Sequence, residues 1–215
     1  MTIVTGALAW IWEHPDTFGQ ALGRHLVMSS VAMLVALAIG FPLAILIIRH
    51  RKLAVPVVNA VNALRTVPSL AILALMMPLI GIGLWPTVVA LIVLALPPIL
   101  INTFVGLRDV DPDAVEAATG MGMTENEVLR RIRLPLAAPA MFAGARTASV
   151  QVLAGATLAP FIGGGGLGDF IAVGIGMMDM SRLLVGAVPI AILALGSELI
   201  LGRLEKTFFP ESATA

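Results

Sequence analysis

Two uncharged runs constrain this chain before anything else: residues 26–48 and residues 66–107 contain no Lys, Arg, Asp or Glu. At about 1.5 Å per helical residue, the first is long enough to cross roughly 30 Å of hydrocarbon. The second is too long for one crossing and is punctuated by Gly81, Gly83 and Pro86, so it reads as two crossings, 66–81 and 85–107, joined by a tight turn. A fourth crossing is expected over 139–160, interrupted only by Arg146, and a fifth over 183–201 with Glu198 inside it. With 59% of 215 residues hydrophobic and 12% charged, no soluble core could hide this apolar surface, and lipid must be the solvent. The expected fold class is an all-α integral membrane protein forming a single transmembrane domain over 1–215. Lys plus Arg and Asp plus Glu each number 13, which leaves no basic excess for nucleic acid. Cysteine is absent, so there is neither a disulfide nor a thiolate metal site.

Basic residues near span ends are retained on the cytoplasmic side, which orients the chain. Arg49, Arg51, Lys52 and Arg65 lie between the first two spans. Arg108, Arg130, Arg131 and Arg133 lie between the third and fourth, and Arg203 and Lys206 follow the fifth. The opposite side has only Arg24 and Arg182. The N-terminus is therefore expected outside and the C-terminus in the cytoplasm, with Trp10, Trp12 and Trp85 near the outer interface. No basic n-region precedes Arg24, so the first span is expected to act as its own signal. Residues 6–22 read either as an amphipathic helix on the outer face or as a polar leader.

The charge-rich connection over 111–135 reads as two short helices. Asp111-Pro112 supplies an N-cap and a proline at the first helical position, and Gly120 and Gly122 break the helix. Thr124 and Glu127 stand at capping-box spacing. Val128, Leu129 and Ile132 form an apolar stripe, Arg130, Arg131 and Arg133 complement the helix C-terminus, and Pro135 limits its continuation. A small helical pair of this kind suits a groove in a partner protein; resting on the membrane surface is the other reading.

Glu116-Ala117-Ala118, three residues, Gly122, nine residues and Ile132-Arg133-Leu134-Pro135 resemble the EAA motif of permease subunits of bacterial binding-protein-dependent ABC importers. The resemblance extends over nearly the whole chain and implies the five-span core of a type I importer in the bacterial inner membrane. It also implies a coupling role for the motif, with Glu116, Ala117, Ala118 and Gly122 at the centre docked into a separate ABC ATPase subunit and Ile132, Leu134 and Pro135 completing it. The partners implied are that ATPase, an extracytoplasmic substrate-binding protein and a second permease subunit, identical or homologous. ATP and Mg would sit on the ATPase, with no cofactor on this chain. A narrower resemblance, carried by Arg65-Thr66-Val67-Pro68-Ser69-Leu70, Leu96-Pro97-Pro98 and Phe161-Ile162-Gly163 through Gly168-Asp169-Phe170, is to permeases for glycine betaine, carnitine and choline. Methionine permeases share the size and a related glycine-rich outer loop, so an amino-acid importer is the alternative.

Other signals carry less. Residues 163–168 satisfy GxGxxG by count but follow a membrane span, and Asp169 stands where a P-loop needs Lys. A flexible outer loop is expected there. Nor do His14, His25 and His50 have the spacing of metal ligands. Arg146 and Glu198 are costly in lipid and are expected to pair, as a clasp between spans or part of an inner gate. Asn102, Ser149 and Gln151 are candidates for the translocation path, with hydrogen bonding between helices as the other role. Without Tyr, and with its three Trp at the rim, the chain lacks material for a buried aromatic cage around a quaternary ammonium. A stand-alone secondary transporter would need intramembrane carboxylates, of which only Glu198 qualifies. No cluster of catalytic residues points to an enzyme.

Overall fold

The computed structural model describes residues 2–209; residues 1 and 210–215, the two ends of the expected domain, lie outside them, as does the side chain of Arg51. All regular structure among the described residues is helical. The elements are α1 (Ile3–Glu13), α2 (Pro15–Arg49), α3 (Arg51–Leu64), α4 (Ser69–Ile80), α5 (Leu84–Arg108), α6 (Pro112–Gly120), α7 (Glu125–Val128), α8 (Leu134–Gly155), α9 (Gly168–Gly176) and α10 (Met180–Phe208). A π-helical turn over Leu129–Arg133 joins α7 to α8, and a 3-10 stretch over Ala156–Ile162 follows α8.

Three helices among the described residues, α2, α5 and α10, are long and apolar enough to cross a membrane. Of their most apolar windows, 56% of α5 is buried against 28% for α2 and 17% for α10, so α5 is the centre of the bundle. It packs between α2 and α8, and α10 lies on the far side of α8. The seams are built from small residues. Ala32 and Ala36 of α2, Ala95 of α5 and Ala148 of α8 are fully buried together with Met28, Leu91 and Ile99. A Cβ on Gly40 would come 2.6 Å from Ile99 Cγ2, one on Gly106 2.6 Å from Ala140 Cβ, and one on Gly144 2.7 Å from the Pro98 carbonyl oxygen. Packing of this closeness is what holds helices together where no water is available to drive them together.

Several helices differ in extent from the sequence expectation. The helix carrying the first uncharged run begins eleven residues earlier, at Pro15, because Phe18, Ala21 and Leu22 pack onto Phe170, Leu167 and Val185. The leader is α1, packed on α10 rather than lying free on a surface: a Cβ on Gly6 would stand 2.7 Å from Ser181 Oγ, and Trp10 meets Phe170 edge-on at 4.9 Å. Residues 51–64, taken from their charges as a connection, form α3, whose Val57, Val58 and Val61 pack against α2 and α5. The expected span over 66–81 is α4, only 12 residues long. At about 18 Å it falls short of the hydrocarbon thickness. It meets the helix over 52–64 at 97°, with Pro68 at the break preventing the two from continuing as one. The turn into α5 uses Gly81 at φ 91° and Gly83 at φ 119°, conformations that only glycine adopts without strain.

Candidate functional site

The segment over 111–135 is held by local hydrogen bonds and by two ties to the bundle. Asp111 Oδ1 accepts from the Asp113 N–H at 2.9 Å, with Pro112 as the first helical residue of α6. The helix ends in a Schellman motif: the Met123 N–H donates to the Ala118 carbonyl at 3.2 Å and the Gly122 N–H to Thr119 at 2.9 Å, with Gly122 at φ 87°. Thr124 and Glu127 then close a capping box, the Thr124 N–H donating to Glu127 Oε2 at 2.9 Å and the Glu127 N–H to Thr124 Oγ1 at 3.4 Å. The Thr124 N–H, and then its hydroxyl, hold the Glu127 carboxyl below the usual carboxylate range. Arg49 at the end of α2 donates to Asn126 Oδ1 at 2.8 Å, and Arg133 donates to the Leu107 carbonyl of α5 at 2.8 Å.

Contrary to expectation, Pro135 does not end the second helix. The chain passes through the π turn, where the Leu134 N–H reaches back to the Leu129 carbonyl, and continues as α8. A widened turn relieves the clash a proline ring makes with the carbonyl four residues earlier. The short helix and a long bundle helix are therefore one rod.

The seven motif residues divide into two groups. Ala118 is buried, and Ile132 and Leu134 pack onto a cluster of Leu107, Val110, Leu129 and Ala137. Glu116, Ala117, Gly122 and Pro135 are exposed. So is Met121, at 72% of its surface, a bare apolar tip between α6 and α7 that sequence reasoning did not single out. The segment thus presents small residues and one methionine outward on a base fixed to α2, α5 and α8.

Arg146 of α8 lies against α10, its Nε 3.2 Å from Glu198 Oε1 and its Nη1 3.4 Å from Glu205 Oε2. Residues 198, 202 and 205 recur on one helical face, and Gly202 between the carboxylates leaves room, since a Cβ there would stand 3.2 Å from Arg146 Nη1. The second carboxylate was missed because Glu205 lies beyond the apolar window; its seven-residue spacing from Glu198 was the available signal.

The three candidate path residues have different surroundings. Ser149 donates to the Arg146 carbonyl at 2.8 Å and lies 3.3 Å from Ser197 Oγ, which puts it on the α8–α10 seam. Asn102 donates to the Pro98 carbonyl at 2.7 Å beside Gly144, on the α5–α8 seam. Gln151 is exposed on a cavity of about 500 Å³ bounded by the α3–α4 bend, the middle of α5 and the end of α8. Arg65, Ser69 and Thr157 line the same cavity and were not among the sequence candidates, because without the 97° bend nothing brings residues 65 and 69 towards α8.

The glycine segment over 163–168, expected as a flexible outer loop, is packed rather than loose. Gly164, Gly166, Leu167 and Gly168 are buried, Gly164 against Thr87 and Ala159, and Gly165 against Arg24. Burial holds the neighbouring Asp169 carboxyl above its ordinary range despite the charge of Arg24. His25 is fully buried, its Nε2–H donating to the Leu153 carbonyl at 3.2 Å and so joining α2 to α8.

Comparison with known proteins places this architecture. Residues 18–209 match the family described as the binding-protein-dependent transport system inner membrane component. The chain is 43% identical over 189 residues to the carnitine transport permease protein OpuCB of Listeria monocytogenes, covering 88% of this chain and 87% of that protein. It is 40% identical, over 88% of its own length and 87% of the relative's, to the glycine betaine/carnitine/choline transport system permease protein OpuCB of Bacillus subtilis. Among solved structures, the inward-facing MetNI methionine ABC transporter superposes with a TM-score of 0.79 over 89% of this chain and 96% of that one, at 24% identity, a likeness of fold.

Proposed function

The chain belongs to the family of binding-protein-dependent transport system inner membrane components, and on that premise we propose that it imports a compatible solute such as glycine betaine, carnitine or choline. Membership makes it a multi-pass inner-membrane permease, a transport component and not a catalytic subunit. The substrate reading is carried by the identity of about 40% to osmoprotectant permeases along nearly nine-tenths of the chain. The likeness to a methionine transporter supports the architecture, and an amino-acid importer is the second reading.

In the mechanism we infer, a separate ATPase pair binds ATP and Mg and closes around the exposed face of Glu116, Ala117, Met121 and Gly122. The ties from Arg49 to Asn126 and from Arg133 to Leu107 pass the motion to α2 and α5. The unbroken rod from α7 into α8 passes it to α10 through Arg146 and its two carboxylates. The path then opens outward to solute delivered by an extracytoplasmic binding protein. A second permease, a copy or a paralogue, completes the wall about a two-fold axis. The N-terminus lies outside and the C-terminus in the cytoplasm, the orientation supported by the arginines around α6 and α7.

The test is uptake of labelled glycine betaine at high osmolarity, with labelled methionine in parallel. The cells lack this chain and are complemented with wild type or with Gly122→Arg. Betaine uptake restored by wild type alone supports both substrate and coupling. Methionine uptake without betaine uptake overturns the substrate, and uptake that survives Gly122→Arg overturns the coupling assignment.

A further inference from the structure

The 500 Å³ cavity between the α3–α4 bend and the end of α8 holds a charge that no acidic side chain among the described residues balances. Arg65 caps the end of α3, its backbone N–H donating to the Asn62 carbonyl at 3.1 Å. Its guanidinium has neither an acidic partner nor a hydrogen bond among the described residues, and no Asp or Glu lines the cavity. A guanidinium stays charged under all conditions a membrane protein meets, and near hydrocarbon it is tolerated where it faces a water-filled route or a ligand. The depth is informative. Val93, Leu94 and Pro97 on the same cavity stand near the middle of the 25-residue α5, so Arg65 lies beside the centre of a spanning helix rather than at its cytoplasmic end.

The rest of the cavity fits one end of a small solute better than the other. The Ser69 hydroxyl and the Gln151 amide, both without hydrogen-bond partners among the described residues, join Arg65 around it. Ser69 also opens α4, whose N-terminus has no side-chain cap and so adds partial positive charge. Apart from Thr157, whose hydroxyl donates to the Ala154 carbonyl at 2.7 Å, the remaining lining is aliphatic or glycine, and no aromatic ring is among the described residues that line the cavity. A cation finds no counter-charge or π face here. A carboxylate finds a two-pronged donor, an amide and a hydroxyl, with apolar surface for the methylated remainder of the molecule.

We propose that this cavity is a carboxylate-selective subsite of the membrane path, in which Arg65 holds the carboxylate of a passing zwitterion such as glycine betaine or carnitine and disfavours choline. The inference rests on the importer reading above and narrows its substrate class. It divides labour between two proteins: the binding protein captures the solute, and the permease tests the acidic end of what it is given.

The experiment is uptake of labelled glycine betaine and choline by the assembled importer in proteoliposomes, with its ATPase and one unchanged binding protein. Wild type, Arg65→Lys and Arg65→Gln are compared at equal assembled protein. Because the binding protein is common to every arm, a change in the betaine-to-choline ratio arises in the membrane. Arg65→Gln is expected to lower that ratio about tenfold or more, the scale of a lost charge-assisted hydrogen bond, through maximal rate rather than KM, while Arg65→Lys stays near wild type. If wild type passes no choline, the same about tenfold loss of betaine rate in Arg65→Gln, spared in Arg65→Lys, is the expected result. Gln151→Glu, which sets a carboxylate against the solute's own, reads the same selectivity should Arg65→Gln fail to assemble. An unchanged ratio, whether both rates survive or both fall together, overturns the subsite. A wild-type importer that moves neither solute overturns the function proposed above instead.

Discussion

Gly122 sits at the centre of the proposed coupling motif, and two physical causes compete to explain it. One is backbone: the residue stands at φ 87°, where an L-residue costs about 1–2 kcal/mol through its own Cβ. The other is close approach by a partner. Among the described residues there is no steric cause, since a Cβ on Gly122 would meet none of them within 4 Å. Gly122→Ala should therefore weaken the Schellman turn by about 1 kcal/mol, which makes local opening about fivefold more frequent. Gly122→Asn should cost less, because asparagine tolerates the left-handed region. Amide exchange of α6 in the permease without its ATPase reads the backbone part alone, and ATP-driven uptake in the complete importer reads both. The order expected in both assays is glycine, then asparagine, then alanine. If wild type and both variants exchange alike while uptake falls with side-chain size, the glycine serves the partner's approach and the backbone argument is wrong.

Gly144→Ala would set a methyl group 2.7 Å from the Pro98 carbonyl oxygen and 2.9 Å from Asn102 Cβ, forcing α5 and α8 apart. It should cost about 1–3 kcal/mol in thermal unfolding, whereas Gly19→Ala, with none of the described residues within 4 Å, should not destabilise. Of the two carboxylates on Arg146, Glu205 is 17% exposed and Glu198 45%, so Glu205→Gln should lower stability more than Glu198→Gln; a double-mutant cycle with Arg146→Met measures both, and the reverse order contradicts the geometry. Because the Glu127 carboxyl is held below its ordinary pKa of 4.5, its contribution is complete above that value and is lost as pH falls through the lower folded one. Amides at the start of α7 should lose protection on acidification in wild type, and Glu127→Gln should remove that pH dependence.

Local rules made much of the segment over 111–135 legible in the sequence. Asp111 before Pro112, Thr124 three residues before Glu127, and a glycine after the first helix each act over one turn of chain, and each forms as such. What escaped depends on tertiary context. Charge led residues 51–64 to be taken as a connection, but one face of α3 carries valines that α2 and α5 bury. Pro135 obeys a stop rule only where the preceding turn is α-helical, and here it is a π turn. For Ser149 and Asn102, the sequence places a polar group in a span but leaves its direction open, and both face a neighbouring helix. Arg65 was taken as a marker of topology by its sign, when the bend at Pro68 carries it to the depth of Pro97.

The seams at Gly40, Gly106 and Gly144 also limit how such a molecule deforms. Each brings α5 so near a neighbour that no methyl group would fit between them. A slip of one residue along either seam would drive a side chain such as Ile99 into backbone. The trio of α2, α5 and α8 consequently behaves as a keel, able to tilt as one piece but without play between its members. Slack resides at the flank, where α3 and α4 are joined by four residues at an open angle and touch the keel through fewer and larger side chains. On the coupling proposed above, a tilt of this keel would reach that hinged arm as a change of angle, and the wall it would swing is the one that carries Arg65.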